Sequence, residues 1–186
     1  MTATALPDSC PPHRTWHRLP AFRVCLALAL AVGVAGGCGC KRDPTVLAPP
    51  ANGEASATGK PLAHVTIGGR PFKLEIAATE ADRNLGLMYR SSMADDAGMV
   101  FVFAQEKPLQ FWMRNTRIPL DILYLDAAGK IVSVKQLKPF DETGVPSDGP
   151  AKYAVELNQG TAARVGVKAG DSVTFPPNVQ KPADLE

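Results

Sequence analysis

Two stretches near the middle of the chain, GMVFVF (98–103) and IPLDILYLD (118–126), are apolar on both of the faces that an extended strand presents. Such a strand must lie inside a sheet with cover on both sides. The segments around them have other patterns. HVTIGG and RPFKLEIA flank Gly68-Gly69, a hairpin signal, and Phe72, Leu74 and Ile76 alternate with Lys73 and Glu75, so this strand has one wet face. AKYAVEL alternates Tyr153, Val155 and Leu157 against Ala154 and Glu156. IVSVKQL and KAGDSVTF are read as further strands, and LQFWMRNT as a strand before IPLDILYLD. TAARVGV suits a short helix. TEADRNLGLMYR reads as one clear helix with Thr79 as N-cap and Leu85, Met88 and Tyr89 on its apolar face. Gly86 inside that helix signals close packing. Many short strands with one helix near the N-terminal side predict a mainly β domain, a single β-sandwich or barrel-like fold.

The apolar core carries foreign residues. Asp121 shares a predicted strand face with Pro119, Leu123 and Leu125. An isolated buried carboxylate costs several kcal/mol and persists only when paired or hydrogen-bonded. Arg90, Arg114 and Asn115 are the expected partners, with Thr116 adding a hydroxyl and Glu156 a further acid.

The domain occupies roughly residues 61–176. Residues 1–37 have a basic start (His13, Arg14, His17, Arg18, Arg23) and then VCLALALAVGVA, 12 apolar or small residues. That is a signal peptide pattern, and the run is well short of the roughly 20 residues needed to span a bilayer. It ends in VAGGCGC, which resembles the lipobox of bacterial lipoproteins and implies acylation of Cys38. Ala35 stands where Leu is usual, and Cys40 offers a second register. Residues 38–60 are rich in Pro, Ala, Gly and Ser and read as a flexible tether, on the order of 25 Å in mean span. Residues 177–186 read as a polar tail. The expected location is the cell envelope, membrane-anchored and facing the periplasm or exterior, with inner and outer membrane both open.

Export also settles the charge. The chain has 20 Lys and Arg against 18 Asp and Glu, but three of the former and one of the latter precede Cys38, leaving 17 of each. The basic excess is a targeting feature, and nucleic acid is not an expected partner. All four cysteines lie at or before Cys40, so the domain must stand without an internal disulfide.

GLMYR, GMVFVF, FWMRNTRIPLDILYLD and YAVELNQG together resemble domain of unknown function 192, a bacterial and archaeal family, over about Leu62 to Phe175. Arg114 stands where Lys is common, and Tyr124 where Phe is common. The resemblance implies a compact, mainly β domain, often exported or lipid-anchored. It implies no established activity, ligand or catalytic residue.

Three readings of the polar residues follow. Arg90, Asn115 and Asp121 form a structural network that fixes strand register. Alternatively Arg90, Trp112, Asn115, Thr116, Asp121 and Glu156 line a pocket for a small ligand or meet a partner protein. The third is a carbohydrate-active hydrolase or lyase with Asp121 and Glu156 as paired carboxylates, which in retaining enzymes stand about 5 Å apart. A structural or assembly role without ligand also fits the tether. Other chemistries lack their parts. His64 is the one histidine after the signal, and neither a GxSxG elbow nor a GxxxxGK[ST] loop is present. One histidine and two tether cysteines do not make a zinc site, so no metal or cofactor is expected. Met88, Met93, Met99 and Met113 read as core filler.

Overall fold

The computed structural model describes residues 55–182, so the signal segment, Cys38, Cys40 and most of the tether lie outside the described residues. The fold is mainly β, as expected: one six-stranded mixed sheet, not closed into a barrel, with three short helices. Strands β1 (Leu62–Ile67) and β2 (Arg70–Ala77) form the hairpin, and Gly68 and Gly69 both take positive φ in its two-residue turn. β2 then pairs in parallel with β3 (Ala97–Phe111), after a crossover that contains helix α1 (Glu80–Leu85). Strand β4 (Leu120–Leu125) pairs with β5 (Ile131–Leu137) on one side and with β6 (Val145–Asn158) on the other. The spatial order is β1-β2-β3-β6-β4-β5.

The expectation for GMVFVF holds, since β3 lies inside the sheet between β2 and β6. β3 and β6 run far beyond their neighbours. Their pairing is interrupted by register shifts between Val102 and Lys107 and again between Pro108 and Gln110. Bulges bend and twist a ribbon. The outer halves therefore curl over one sheet face, where Phe103, Leu109, Phe111, Val145 and Ala151 join Met99, Phe101, Ile122 and Tyr124 in a core cluster. Near its start, β6 reaches β5: the Asp148 backbone amide donates to Ser133 Oγ, and Lys135 pairs with Asp148. The opposite sheet face is covered by Val173, Phe175, helix α2 (Thr161–Val165) and helix α3 (Pro177–Gln180).

Several local expectations are corrected. The helix read over TEADRNLGLMYR stops at Leu85, because Gly86 takes φ 48° and turns the chain out while packing on Phe101. Beyond that turn helical spacing no longer governs. Leu85 and Tyr89 are exposed, and Leu87 is buried instead. The N-cap holds: Thr79 accepts from the Asp82 amide and donates to its carboxylate. LQFWMRNT is not a strand of its own. Its first three residues end β3, and 112–119 form a loop. KAGDSVTF supplies one bridge, Lys130 to Ser172, not a strand. The ordered domain is also wider than 61–176. Ala55 bridges to Pro61, Thr58 donates to Glu75, and Lys60 pairs with Asp82. On the other side, Val179 of α3 is fully buried, so the tail begins with a docked turn.

Asp121 does have a buried partner, but it is not a side chain. Its carboxylate accepts from the Ala162 amide at 2.9 Å. Gly160, the N-cap of α2, has no side chain to satisfy that donor, and Asp121 substitutes for one from across the sheet. We expect Asp121→Ala to destabilise by about 2 kcal/mol, through the orphaned amide and the lost carboxylate at the helix start, and Asp121→Asn by clearly less. Equal urea midpoints for wild type and Asp121→Ala would contradict this.

Candidate functional site

Strand register decides which acids can meet. Asp121 lies opposite Leu157 and projects with Leu123 and Leu125 toward the α2 face. Glu156 lies opposite Ile122 and projects with Ala154 toward the curled ribbon. The two carboxylates are on opposite faces of one sheet, and no substrate could lie between them. The paired-carboxylate arrangement is therefore not formed.

The network expected among Arg90, Asn115 and Asp121 is not formed either. Arg90 is bidentate to Glu75, at 2.8 and 2.7 Å, and Thr58 bonds the same carboxylate. Burial pushes the Glu75 carboxyl up. The bonds from Arg90 and Thr58 and the charges of Arg90 and Lys60 outweigh burial and hold it below the ordinary value. Asn115 acts elsewhere. It adopts φ 55°, a left-handed conformation that asparagine tolerates better than most residues. Its carbonyl accepts from the Tyr89 amide, and its side-chain amide donates to the Tyr89 hydroxyl. The next carbonyl, of Thr116, accepts from the Phe140 amide, while Met113 N–H reaches the Asp141 carbonyl. Tyr89, Asn115 and Phe140 are the three non-glycine residues with positive φ among the described residues. All three sit where these loops are stitched together. Strain concentrated at one place is held by its surroundings and is characteristic of sites and switches. The polar letters of FWMRNT thus fasten a loop.

That loop and α1 enclose a cavity of about 450 Å³, a size suited to a small molecule. Leu87, Phe101 and Phe111 give it apolar walls, and Trp112, 49 % exposed and within 5.7 Å of the Arg114 guanidinium, stands at the rim. Arg83 and Lys107 both lie over the Phe103 ring, and Arg83 also donates to the Ala78 and Val102 carbonyls. Glu80, Asn84 and Gln110 complete the polar lining. At the inner end is Glu156, 4 % exposed, with no hydrogen bond or ion pair to any described residue. Burial alone pushes its carboxyl up to about 8. Neither rim cation offsets that effect. The neighbouring Tyr124 hydroxyl, also pushed up by burial, donates to the Val145 carbonyl at 2.6 Å instead.

Of the residues singled out in the sequence, Trp112, Thr116 and Glu156 line this cavity. Arg90 and Asn115 fasten its surroundings, and Asp121 belongs to the other face. Arg83, Lys107 and Gln110 were not foreseen. Lys107 and Gln110 fall in AQEKPLQ, which reads as a solvated stretch until the ribbon's curl brings it over the sheet. Met99 and Met113 are buried core, Met93 packs against it, and Met88 faces the cavity.

The sign of the Glu156 effect on stability can be worked out. Below pH 4.5 folded and unfolded chains both hold the proton. Between 4.5 and about 8 only the folded chain keeps it, so stability falls as pH rises, and above 8 the loss is complete. Glu156→Gln should therefore gain on wild type by several kcal/mol between pH 5 and pH 8. Thermal melts across that range with a constant difference would refute it.

The chain is similar to two solved structures. A Sinorhizobium meliloti 1021 protein, described provisionally as a transcription regulator, is 38 % identical, with a TM-score of 0.57 over 61 % of this chain and 91 % of that one. A protein of unknown function from Novosphingobium aromaticivorans DSM 12444 is 36 % identical, with a TM-score of 0.62 over 67 % and 94 %. No functionally curated protein matches. The model of domain of unknown function 192, described as "Uncharacterized ACR", matches residues 63–175, and the chain belongs to that family.

Proposed function

We propose that this β domain is a small-ligand receptor that performs no catalysis, and that the cavity beneath α1 is its binding site. One observation carries the reading: Glu156, a buried residue with no hydrogen bond or ion pair to another described residue, lines an open cavity walled by aromatic rings. A carboxyl that the surrounding strands leave without a partner, at a cavity open to solvent, is a natural ligand contact. The stitched loops support the same reading, since they hold the Trp112 and Thr116 wall in place before binding. No nucleophile or second acid is hydrogen-bonded to Glu156 among the described residues. For that reason a hydrolase or lyase is the weaker reading. The test is a thermal-shift screen with amines, polyols, carboxylates and nucleosides on wild type and on Asn84→Trp, which fills the cavity from an exposed helix position. Compounds that stabilise wild type by 2 °C or more, roughly 0.5 kcal/mol of linkage at the threshold, should fail on the blocked variant. If every compound class leaves wild type unmoved, the receptor reading is lost.

We further propose that the domain works on the outer side of a membrane, held by acyl chains on Cys38. The signal pattern, VAGGC and the Pro-rich tether support this reading. In cells fed an alkyne fatty acid, the wild-type chain should become labelled and sediment with membranes. Cys38→Ser should do neither, whereas retention of label in Cys38→Ser and its loss in Cys40→Ser would move the anchor to Cys40.

A further inference from the structure

We infer that the cavity beneath α1 selects compounds carrying an alkylammonium group, with the cationic nitrogen reaching Glu156 and the apolar stem against Phe101, Phe111 and Trp112. This rests on the receptor reading and narrows it to one ligand class.

The argument begins with two acids in one row of the sheet. Glu75 lies opposite Met99, and Met99 lies opposite Glu156, so both carboxylates project to the same face with Met99 between them. Strand spacing puts their Cα atoms about 10 Å apart. Glu75 has an internal cation, Arg90, in bidentate contact. Glu156 has none. The charged groups that face its cavity are Glu80 and Arg83 of α1 and Lys107 of β3, with the Tyr124 phenol beside it on β4. Both cations are held at Phe103, with Arg83 also bound to two carbonyls. Neither moderates the cost of burying Glu156, whose rise is due to burial alone.

Three ligand chemistries can be set against this arrangement. A carboxylate or phosphate could use Lys107 and Arg83, but its inner end would meet a carboxyl that must stay protonated. A neutral alcohol would accept or donate one bond and leave the charged form of Glu156 as costly as before. A metal ion would need more ligands, and no group of three His, Cys, Asp or Glu exists among the described residues. An ammonium group supplies a full compensating charge and up to three donors. Glu80 adds attraction along the approach, and the aromatic rings favour a cation near their faces. Binding then converts the neutral Glu156 acid to carboxylate and releases its proton to solvent.

The experiment uses the full chain with three probes of one shape: 2-phenylethylamine, 2-phenylethanol and 3-phenylpropionate. Calorimetry is run at pH 6, 7 and 8 in two buffers of different ionisation enthalpy. The amine should bind at least tenfold more tightly than the alcohol and the acid. Its affinity should rise from pH 6 to pH 8, with a net release of up to one proton at pH 7. Glu156→Gln should weaken the amine at least tenfold and leave the alcohol within a factor of two or three. The pH dependence and proton release of the wild type probe the same contact without any variant. If the alcohol or the acid binds as well as the amine and is blocked by Asn84→Trp, the ammonium class is wrong and the receptor stands. If the amine binds without proton release and without loss in Glu156→Gln, the ammonium–Glu156 contact is wrong. If none of the three binds and the broader screen is also silent, both readings fall together.

Discussion

The antiparallel pairing of β3 with β6 is the constraint on which the rest of the molecule depends. These strands of 15 and 14 residues are about twice as long as β4 and β5. A flat sheet of such unequal strands would leave the outer halves of β3 and β6 as a bare two-stranded ribbon, which is marginally stable alone. The bulges beyond Val102 fold that ribbon back over its own sheet, where Phe111 packs edge-on against Phe101 and Tyr124. One strand pairing thus makes both the floor and part of the roof of a core. It also leaves a gap at the roof's edge, which α1 and the 112–119 loop enclose into the cavity.

This bend explains what could and could not be read from the letters. Runs with a clean period, such as the GMVFVF and AKYAVEL strands, the Gly68-Gly69 hairpin and the Thr79 cap, depend on local chemistry and on burial of whole faces, and they are where they were expected. VPSDGP has the composition of a turn, with two prolines and a glycine, yet it begins β6. It can do so because the irregular pairing beyond the bulges spares the prolines a regular ladder. The helix boundary at Gly86 and the loop at Arg114-Asn115-Thr116 turn on left-handed backbone conformations. The loop's conformation is set by tertiary bonds from Tyr89, Phe140 and Asp141, and hydrophobic period is blind to them.

The buried acids show the same limit. Burial was legible for Asp121, flanked by apolar neighbours on its strand face, whereas AKYAVEL set Glu156 opposite its apolar row and the curled ribbon is what buries it. Their partners were not legible, since partners depend on which strands are adjacent and which face each residue takes. β4 presents Asp121 to the start of α2, where Gly160 cannot cap its own helix. The guanidinium nearest in motif, Arg90, is bidentate to Glu75 of β2 instead, beyond the turn at Gly86 that ends α1.

Three acids in this domain therefore meet three fates by one rule. A carboxylate removed from water must find compensation, and the nearest source differs at each place. Asp121 takes a helix amide and Glu75 takes an arginine, so both are parts of the scaffold. Glu156 is also buried, yet the two cations that line its cavity, Arg83 and Lys107, lie over the Phe103 ring, and Arg83 is further bound to two backbone carbonyls. A glutamine there would satisfy the fold better across neutral pH, and so would any apolar residue of similar volume. A position that costs the folded state stability while facing an open, preformed cavity is the place where the proposed ligand would supply the compensation that the neighbouring strands do not.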